Sequence, residues 1–537
     1  MRQLTISTLR RRLPPCLALV GVILCLGVVA GVAHAGSGEV PDADKSFDIH
    51  EYRVLGNTTL DVRDIERTLY PLLGDHKSVK DVEIARAALE KLYHDRGFAT
   101  VFVDIPEQDI ADETVRLKVT EGRLHEVHIN GARYFSERKI LAALPAATVG
   151  TVPNLPALQK QLDAVNVQTA DRAVVPIVKA GAVPGTVDLT LKVDDHLPVH
   201  GSLELDNQNT PNTAALRSTA SLAYADLFQN FDSVAVQYQV APQDVRQVNV
   251  FAANYAWGVP AGSWHPSAYF INNNSNVAAI GTVGVIGKGQ IYGARWAYPL
   301  VSAATDTQSV TLGVDYKRFR QTVVLSTQPA VNTPINYTNL TLAYAGSWSD
   351  GARLTSVGAS ANFGPRGVPN NSDGFAAKRF KGEANYFYVK LNATTDLALP
   401  AGFQLQLRAD GQFAIEPLIT NEQYSISGAD AVRGYLEAEV LEDKGARGTV
   451  QLQAPELKRQ ALDLGNLFLF YDIGRALAID PLPGEPAKTQ LRSFGTGLHL
   501  LPAGPVTASL TWAFPLVNGP YTHRDDARFL FTIRGGF

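Results

Sequence analysis

Between His196 and Phe537 the chain alternates apolar and polar residues, a period that only extended strands satisfy. In Ser309 to Lys317, Val310, Leu312, Val314 and Tyr316 are apolar, and Ser309, Thr311, Asp315 and Lys317 between them are polar. Phe403, Leu405, Leu407, Ala409 and Phe413 alternate with Gln404, Gln406, Arg408, Asp410 and Gln412, and the dyad returns at Val234 to Val240 and at Val506 to Phe514. The longest uncharged run without a basic or acidic residue other than histidine, Phe251 to Gly287, is broken by Gly, Pro and Asn272-Asn273-Asn274, which excludes a helical bundle in lipid. A soluble sandwich also alternates, so the context decides. These strands are long and follow an export leader. The chain closes on Phe529, Phe531, Ile533 and Phe537, all on one face. In a bilayer every backbone N–H and C=O must find an internal partner, so amphipathic strands can span it only as a closed barrel. At roughly 21 residues per strand and connection, the segment holds about 16 strands.

The leader is residues 1–35. Arg2, Arg10, Arg11 and Arg12 precede an apolar stretch from Leu17 to Ala33, and Ala33-His34-Ala35 supplies small residues for cleavage. Both cysteines, Cys16 and Cys25, lie inside it, so the expected mature chain from Gly36 has none, as suits an oxidising compartment. Cleavage removes four of the 48 basic residues, and 44 against 52 acidic ones gives −8, which disfavours a nucleic-acid partner.

The stretch from Gly36 to Asp195 is different in kind. It carries 26 acidic and 19 basic residues in 160, against 26 and 25 in the 342 that follow, so it presents an ordinary charged, water-soluble surface. A short linker, residues 36–45, leads into one pattern that occurs twice, over 46–121 and 122–195. In the first copy Phe47 to Val54 reads as a strand ending at Gly56-Asn57. One helix carries Val62, Ile65, Leu69 and Leu72; a second carries Val82, Ala85, Leu89 and Leu92 and stops at Gly97. Two alternating strands follow, around Val101 and Val115. The second copy starts at Val127 to Gly131, with Ser136 and Asn154 as helix caps and Leu155, Leu158, Leu162 and Val165 as the buried stripe. Each copy is thus a small α+β unit of order β-α-α-β-β, with a sheet edge open to an added strand.

A search for chemistry finds no enzyme. His125-Glu126-Val127-His128 has its histidines three apart in a strand-like segment, the wrong spacing for a zinc helix. Gly287-Lys288-Gly289 lacks the rest of a phosphate loop, and no Gly-x-Ser-x-Gly elbow occurs. No catalytic residue, metal or cofactor is assigned.

Two segments stand apart from the alternation. One is Ile426 to Tyr435, within a connection of about 30 residues, about 416–446, between a strand ending near Phe413 and one beginning near Thr449. The other is Phe470-Tyr471-Asp472-Ile473-Gly474, where parity puts Phe470, Asp472 and Gly474 on one face; a carboxylate there must look inward. Val432-Arg433-Gly434-Tyr435 together with Phe470-x-Asp472-x-Gly474 resembles the outer-membrane transporters of two-partner secretion, the haemolysin and filamentous-haemagglutinin exporters. These share a superfamily with the outer-membrane protein assembly factor. The resemblance covers the whole mature chain and implies two polypeptide-transport-associated (POTRA) domains in the periplasm and a sixteen-stranded barrel in the outer membrane. It further implies that the loop folds into the barrel, where Arg433 pairs with Asp472 beside Gly474 and under Phe470. The C-terminal Phe529, Phe531, Ile533 and Phe537 would serve as the signal for the barrel assembly machinery, and outer-membrane lipid would surround the product. The implied partner is a secreted exoprotein, an adhesin, haemolysin or toxin, which arrives unfolded, meets the POTRA domains and passes through the barrel. Many members carry an N-terminal plug helix; Gly36 to Ser46 is too short for both helix and linker, so none is expected. An assembly factor on the same scaffold is the alternative function.

Overall fold

Backbone pairing divides the molecule by chemistry: helix-backed three-stranded sheets first, then one continuous ring of strands. The computed structural model describes residues 46–537 apart from 111, 231, 260–262, 276, 281–282, 304, 324–330, 368, 460–461, 464 and 501–504. The expected leader, linker and plug region lie outside the described residues. The chain falls into two units, one ending at Leu197 and one beginning at Pro198.

The first unit contains two modules built alike. In the first, Glu51–Leu55 runs parallel to Thr114–Glu121, which also pairs antiparallel with Val101–Asp104. The parallel pairing requires a crossover, supplied by helices α1 (Val62–Leu69) and α2 (Val79–Asp95). Ile65, Leu69, Val82, Ala85 and Leu89 bury themselves against Val101, Val103, Val115, Leu117 and Val119. Two details depart from the expected stripes. Val62, the first residue of its helix, is 60% exposed, and α2 buries Tyr93 as fully as Ala85 and Leu89, with the Tyr93 hydroxyl donating to Asn57 Oδ1 at 2.6 Å. The expected first strand is also split. Phe47–Ile49 pairs instead with Gly74–Lys77, a short strand that a polar Gly-Asp-His-Lys sequence does not announce.

The second module repeats the order: Arg123–Asn130 parallel to Thr186–Asp195, with Arg172–Ala180 antiparallel on the other side. Its helices are α3 (Glu137–Ala142) and α4 (Leu155–Val167). The repeat extends to fine structure. Gly56 and Gly131 both turn the chain out of the first strand at positive φ (89° and 98°), and a Cβ on either would collide with the carbonyl of Val119 or Val193 on the central strand. Two residues beyond each glycine, the loop N–H is held by the carboxylate that ends the central strand. Glu121 accepts from the Thr58 N–H at 2.7 Å and hydroxyl at 2.5 Å; Asp195 accepts from the N–H groups of Arg133, Tyr134 and Phe135 at 2.9, 2.9 and 3.2 Å. The modules are also stitched to each other. Asn154 caps α4 through the Ala157 N–H and donates to the Arg96 carbonyl at the end of α2, and the Leu155 N–H donates to Gly97, whose φ of 92° ends that helix.

Burial pushes the Glu121 carboxyl up, but the Thr58 bonds and the Arg123 guanidinium 2.8 Å away outweigh it and hold it below the ordinary value of 4.5. A depressed carboxyl stabilises the fold above its unfolded value, and that stability is lost as pH falls through the folded one. The first module is therefore expected to loosen below about pH 4.5, and Glu121→Gln to flatten that dependence. Thermal melts of the soluble two-module fragment across pH 3 to 7 would show it; parallel curves for the two proteins would refute the linkage.

In the second unit sixteen antiparallel strands, numbered β1 to β16 in chain order, form a closed barrel, as the alternation predicts. Strands β1 (Val199–Asp206) and β16 (Arg528–Gly536) pair from Asp206↔Thr532 to Ser202↔Gly536, and Gly201 and Phe537 continue the seam with two backbone bonds of 3.1 and 3.0 Å. Closure leaves no unpaired edge, which is what allows strands to cross a bilayer. Connections on the side where β1 begins include the three-residue turn 350–352. The opposite side carries 364–386, which holds helix α5 (Ser372–Lys378), and 415–443. The side chains of Phe529 and Ile533 face outward and Leu530 faces in; Phe537 is 79% exposed, with its ring over Gly201.

The long connection is shorter at its end than the sequence suggested. Strand β12 (Lys444–Gln453) begins at Lys444 and not near Thr449. Lys444, Gly445, Arg447 and Gly448 obscure the alternation. Arg447 nevertheless belongs to the lumen face, where its Nε bonds Asp410 at 2.8 and 3.0 Å.

The inward loop and its anchors

Strand β13 (Asn466–Leu477) alternates without a fault: Phe468, Phe470, Asp472, Gly474 and Ala476 face the lumen, and Leu467, Leu469, Tyr471 and Ile473 face out. Asp472 is fully buried. A carboxylate in that position is tolerable only with charge-assisted partners, and the connection 415–443 brings them. Arg433 Nε lies 2.8 Å from Asp472 Oδ2, Nη2 lies 2.9 Å from Oδ1, and the Arg433 N–H donates to Oδ2 at 3.1 Å. The remaining nitrogen, Nη1, donates to Gln451 Oε1 at 2.8 Å from β12, and the guanidinium carbon sits 3.5 Å above the Phe470 ring. All three guanidinium nitrogens thus have an acceptor, and one face of the cation has a ring.

Room for this arrangement is made by glycines. At Gly474 a Cβ would come within 2.9 Å of Val432 Cγ2 and 3.1 Å of Ile426 Cβ, so the absence of a side chain lets the loop lie against the strand. On β14 (Lys488–Leu500), Gly495 stands opposite Phe470, and a Cβ there would meet the ring at 2.5 Å. Gly434 turns the loop at φ 94° with Pro515 and Ala513 close by. Tyr435 is fully buried beyond it; its hydroxyl donates to the Val517 carbonyl at 2.7 Å, and its own carbonyl accepts from Arg528 on β16 at 2.8 Å. Val432, Arg433, Gly434 and Tyr435 are thus brought against Phe470, Asp472 and Gly474. The C-terminal Phe529, Phe531, Ile533 and Phe537 lie apart from them.

The loop has further anchors that the sequence reading did not find. Glu439 accepts from the N–H groups of Tyr521 and Thr522 at 2.7 Å each and from the Thr522 hydroxyl at 2.6 Å. Asp443 holds the N–H groups of Leu418 at 2.9 Å and Ile479 at 2.6 Å. Glu422 receives Lys317 Nζ at 2.6 Å and the hydroxyls of Tyr337 and Tyr388 at 2.5 and 2.7 Å. Around Glu422 the lumen is filled by Phe319, Ile335, Tyr337, Tyr386 and Tyr388 of the wall, Phe375 of α5, and Leu418 and Ile419 of the loop. The available sequence cue was several carboxylates inside one barrel connection, each needing a buried donor. His125 and His128 lie on an exposed strand beside Asp188 and Glu126, and among the described residues no three ligating side chains converge on a metal site.

Residues 185–500 match the family model of the haemolysin secretion/activation protein ShlB/FhaC/HecB, and residues 47–122 match the ShlB-type POTRA domain. The chain is 22% identical over 440 residues to the outer membrane transporter CdiB of Dickeya dadantii, covering 76% of this chain and 73% of that one. It is 21% identical over 502 residues to the heme/hemopexin transporter protein HuxB of Haemophilus influenzae, covering 88% and 84%. In structure it is similar to CdiB from Escherichia coli (TM-score 0.61, 18% identity, 95% and 93% covered) and to BamA from Haemophilus ducreyi lacking its first three POTRA domains (TM-score 0.57, 13% identity, 91% and 100% covered). The structural likenesses establish the shared fold, a closed barrel preceded by POTRA domains. The family model spans well over half of the sequence, and the protein belongs to the ShlB/FhaC/HecB family of haemolysin secretion/activation proteins, which are outer-membrane transporters.

Proposed function

We propose that this transporter exports one dedicated secreted polypeptide, an adhesin, haemolysin or toxin, which reaches the periplasm unfolded, binds the POTRA domains and leaves through the barrel. What supports this most is the loop 415–443, a segment of the protein's own chain held inside the lumen by side-chain anchors, with Arg433 on Asp472 at its centre. Such a segment can be released without breaking the wall. In this reading Val432, Arg433, Gly434 and Tyr435 with Phe470, Asp472 and Gly474 form the functional loop anchor, and the outward Phe529, Phe531, Ile533 and Phe537 are what the barrel assembly machinery reads during insertion into outer-membrane lipid. Extended polypeptide suits the open edges at Glu51–Leu55 and Arg172–Ala180, where main-chain hydrogen bonds tolerate many side chains.

The likeness to BamA keeps an assembly role as the second reading. Removing the protein from its cell separates the two. Export predicts one large secreted polypeptide stranded in the periplasm with the other barrels at normal abundance; general depletion of outer-membrane barrels would overturn it in favour of assembly. Deleting residues 46–121 is expected to abolish secretion of that client while leaving a heat-resistant barrel, and undiminished secretion would remove the POTRA domain from the recognition step.

A further inference from the structure

The outer wall of β4 to β8 carries a second, unassigned site. Strands β4 (Asn249–Ala256), β5 (His265–Asn273), β6 (Gly289–Ser302), β7 (Asp306–Val323) and β8 (Val331–Ser349) are neighbours in the barrel. Their lipid-facing side is layered. Near the turns the rings of Trp264 and Tyr298 stand 5.3 Å apart between centroids, and Trp257 and Trp296 line one cavity with Ala268 and Ala294. Ala268, Ala294, Val314 and Leu340 follow in register as an apolar band. A slanted row of rings closes the band on the loop side: Phe251 to Phe270 at 6.4 Å, Phe270 to Tyr292 at 5.0 Å and Tyr292 to Tyr316 at 6.3 Å between centroids. Tyr292 and Tyr298 share a face six residues apart, about 20 Å along a strand and about 15 Å along the membrane normal at the usual strand tilt, so the two aromatic levels bracket an apolar layer. The upper row therefore marks the interface with the outer leaflet.

Immediately beyond it the outward positions change character. Asn272, Gln290 and Arg318 lie side by side in register, and above them come Asn274, Lys288 and Arg320, where the Arg320 N–H donates to the Lys288 carbonyl at 2.9 Å. With Asn249 they surround a notch of about 510 Å³. No outward position in these rows is acidic. Among the described residues, none of the three cations enters an ion pair. Asp244 is engaged with Arg246, Asp306 accepts from Gln308, Asp315 pairs with Arg295 in the lumen, and Glu422 pairs with Lys317. Lys317 and Arg318 alternate, so one cation of the pair serves the loop and the next faces the membrane.

We propose that this notch binds a phosphorylated glycolipid of the outer leaflet. Two guanidinium forks and an ammonium match phosphate oxygens; the side-chain amides of Asn272, Asn274 and Gln290 offer both donors and acceptors to sugar hydroxyls; the rings below receive acyl chains. A zwitterionic phospholipid would bring its own ammonium against three cations. The proposal rests on the outer-membrane placement of the barrel.

The test uses the full-length protein purified in mild detergent and native mass spectrometry with added bis-phosphorylated lipid A, its dephosphorylated form, or phosphatidylethanolamine. Wild type should retain the bis-phosphorylated lipid, and the triple variant Lys288→Gln, Arg318→Gln, Arg320→Gln should retain it at least about tenfold less, given that each cation near an anionic surface strengthens binding several-fold. A control carrying Arg353→Gln and Arg534→Gln, at the opposite rim, should bind as wild type. Equal retention by the triple variant or equal binding of the dephosphorylated lipid would each overturn the assignment. A wild-type protein that stays dissolved without detergent would instead refute the membrane placement itself.

Discussion

Arg433→Ala is expected to reduce export of the client at least about tenfold while the barrel still inserts, because the substitution strands a fully buried carboxylate. Asp472 loses the bonds to Nε and Nη2, and Phe470 and Gln451 lose the group that fills the space between them. Leaving one member of a buried ion pair costs about 3 to 5 kcal/mol, enough to release the loop. It is not enough to open a wall in which all sixteen strands are paired on both sides. Asp472→Ala should do the same from the other side. Arg433→Lys should restore little, since an ammonium cannot bridge both carboxylate oxygens, reach Gln451 and stack on the ring together. The double variant Arg433→Ala, Asp472→Ala should be more heat-stable than either single variant yet still fail to export, which separates the electrostatic cost from the positional role. Client in the culture medium, quantified against heat-modifiable barrel in the membrane, is the measurement; wild-type secretion from both single variants would dismiss the anchor's role.

The second large effect is expected at Glu422. Its partners Lys317, Tyr337 and Tyr388 stand on β7, β8 and β10 (Phe387–Ala398), six, five and three strands from β13 around the wall. Glu422 and Asp472 therefore fix the same loop to separate parts of the barrel. Glu422→Ala leaves a nearly buried ammonium and two buried hydroxyls without their acceptor, again several kcal/mol. With Leu418 and Ile419 no longer held in the apolar cluster, the lumen should open more often. Planar-bilayer recordings should show open events roughly tenfold more frequent than in wild type, while Glu422→Gln, which keeps an acceptor oxygen, should lie between the two. A variant as quiet as the wild type would mean that this end of the lumen does not depend on Glu422.

Much of this architecture was readable before any fold was known. The ring of sixteen strands follows from alternation because the two-residue period is a property of the extended backbone, written locally into each strand. The repeated module was legible for a similar reason: apolar stripes of helical period lie between alternating strands, and the turn glycines sit at matching points. Parity placed Phe470, Asp472 and Gly474 on one face, but their pairing with Arg433 entered only through family resemblance. Where charge or glycine interrupts the period, as from Lys444 to Gly448, the boundary slipped by about five residues.

The Glu422 cluster could not be read that way. Its contacts join residues separated by 105, 85 and 34 positions, and nothing local in Lys317, Tyr337 or Tyr388 names a common acceptor. Nor could the patch of Asn272, Lys288, Gln290, Arg318 and Arg320, since which residues stand abreast depends on register between strands. Alternation assigns each residue to one of two faces; closure of the ring and the path of its loop then choose its neighbours across the lumen and along the wall.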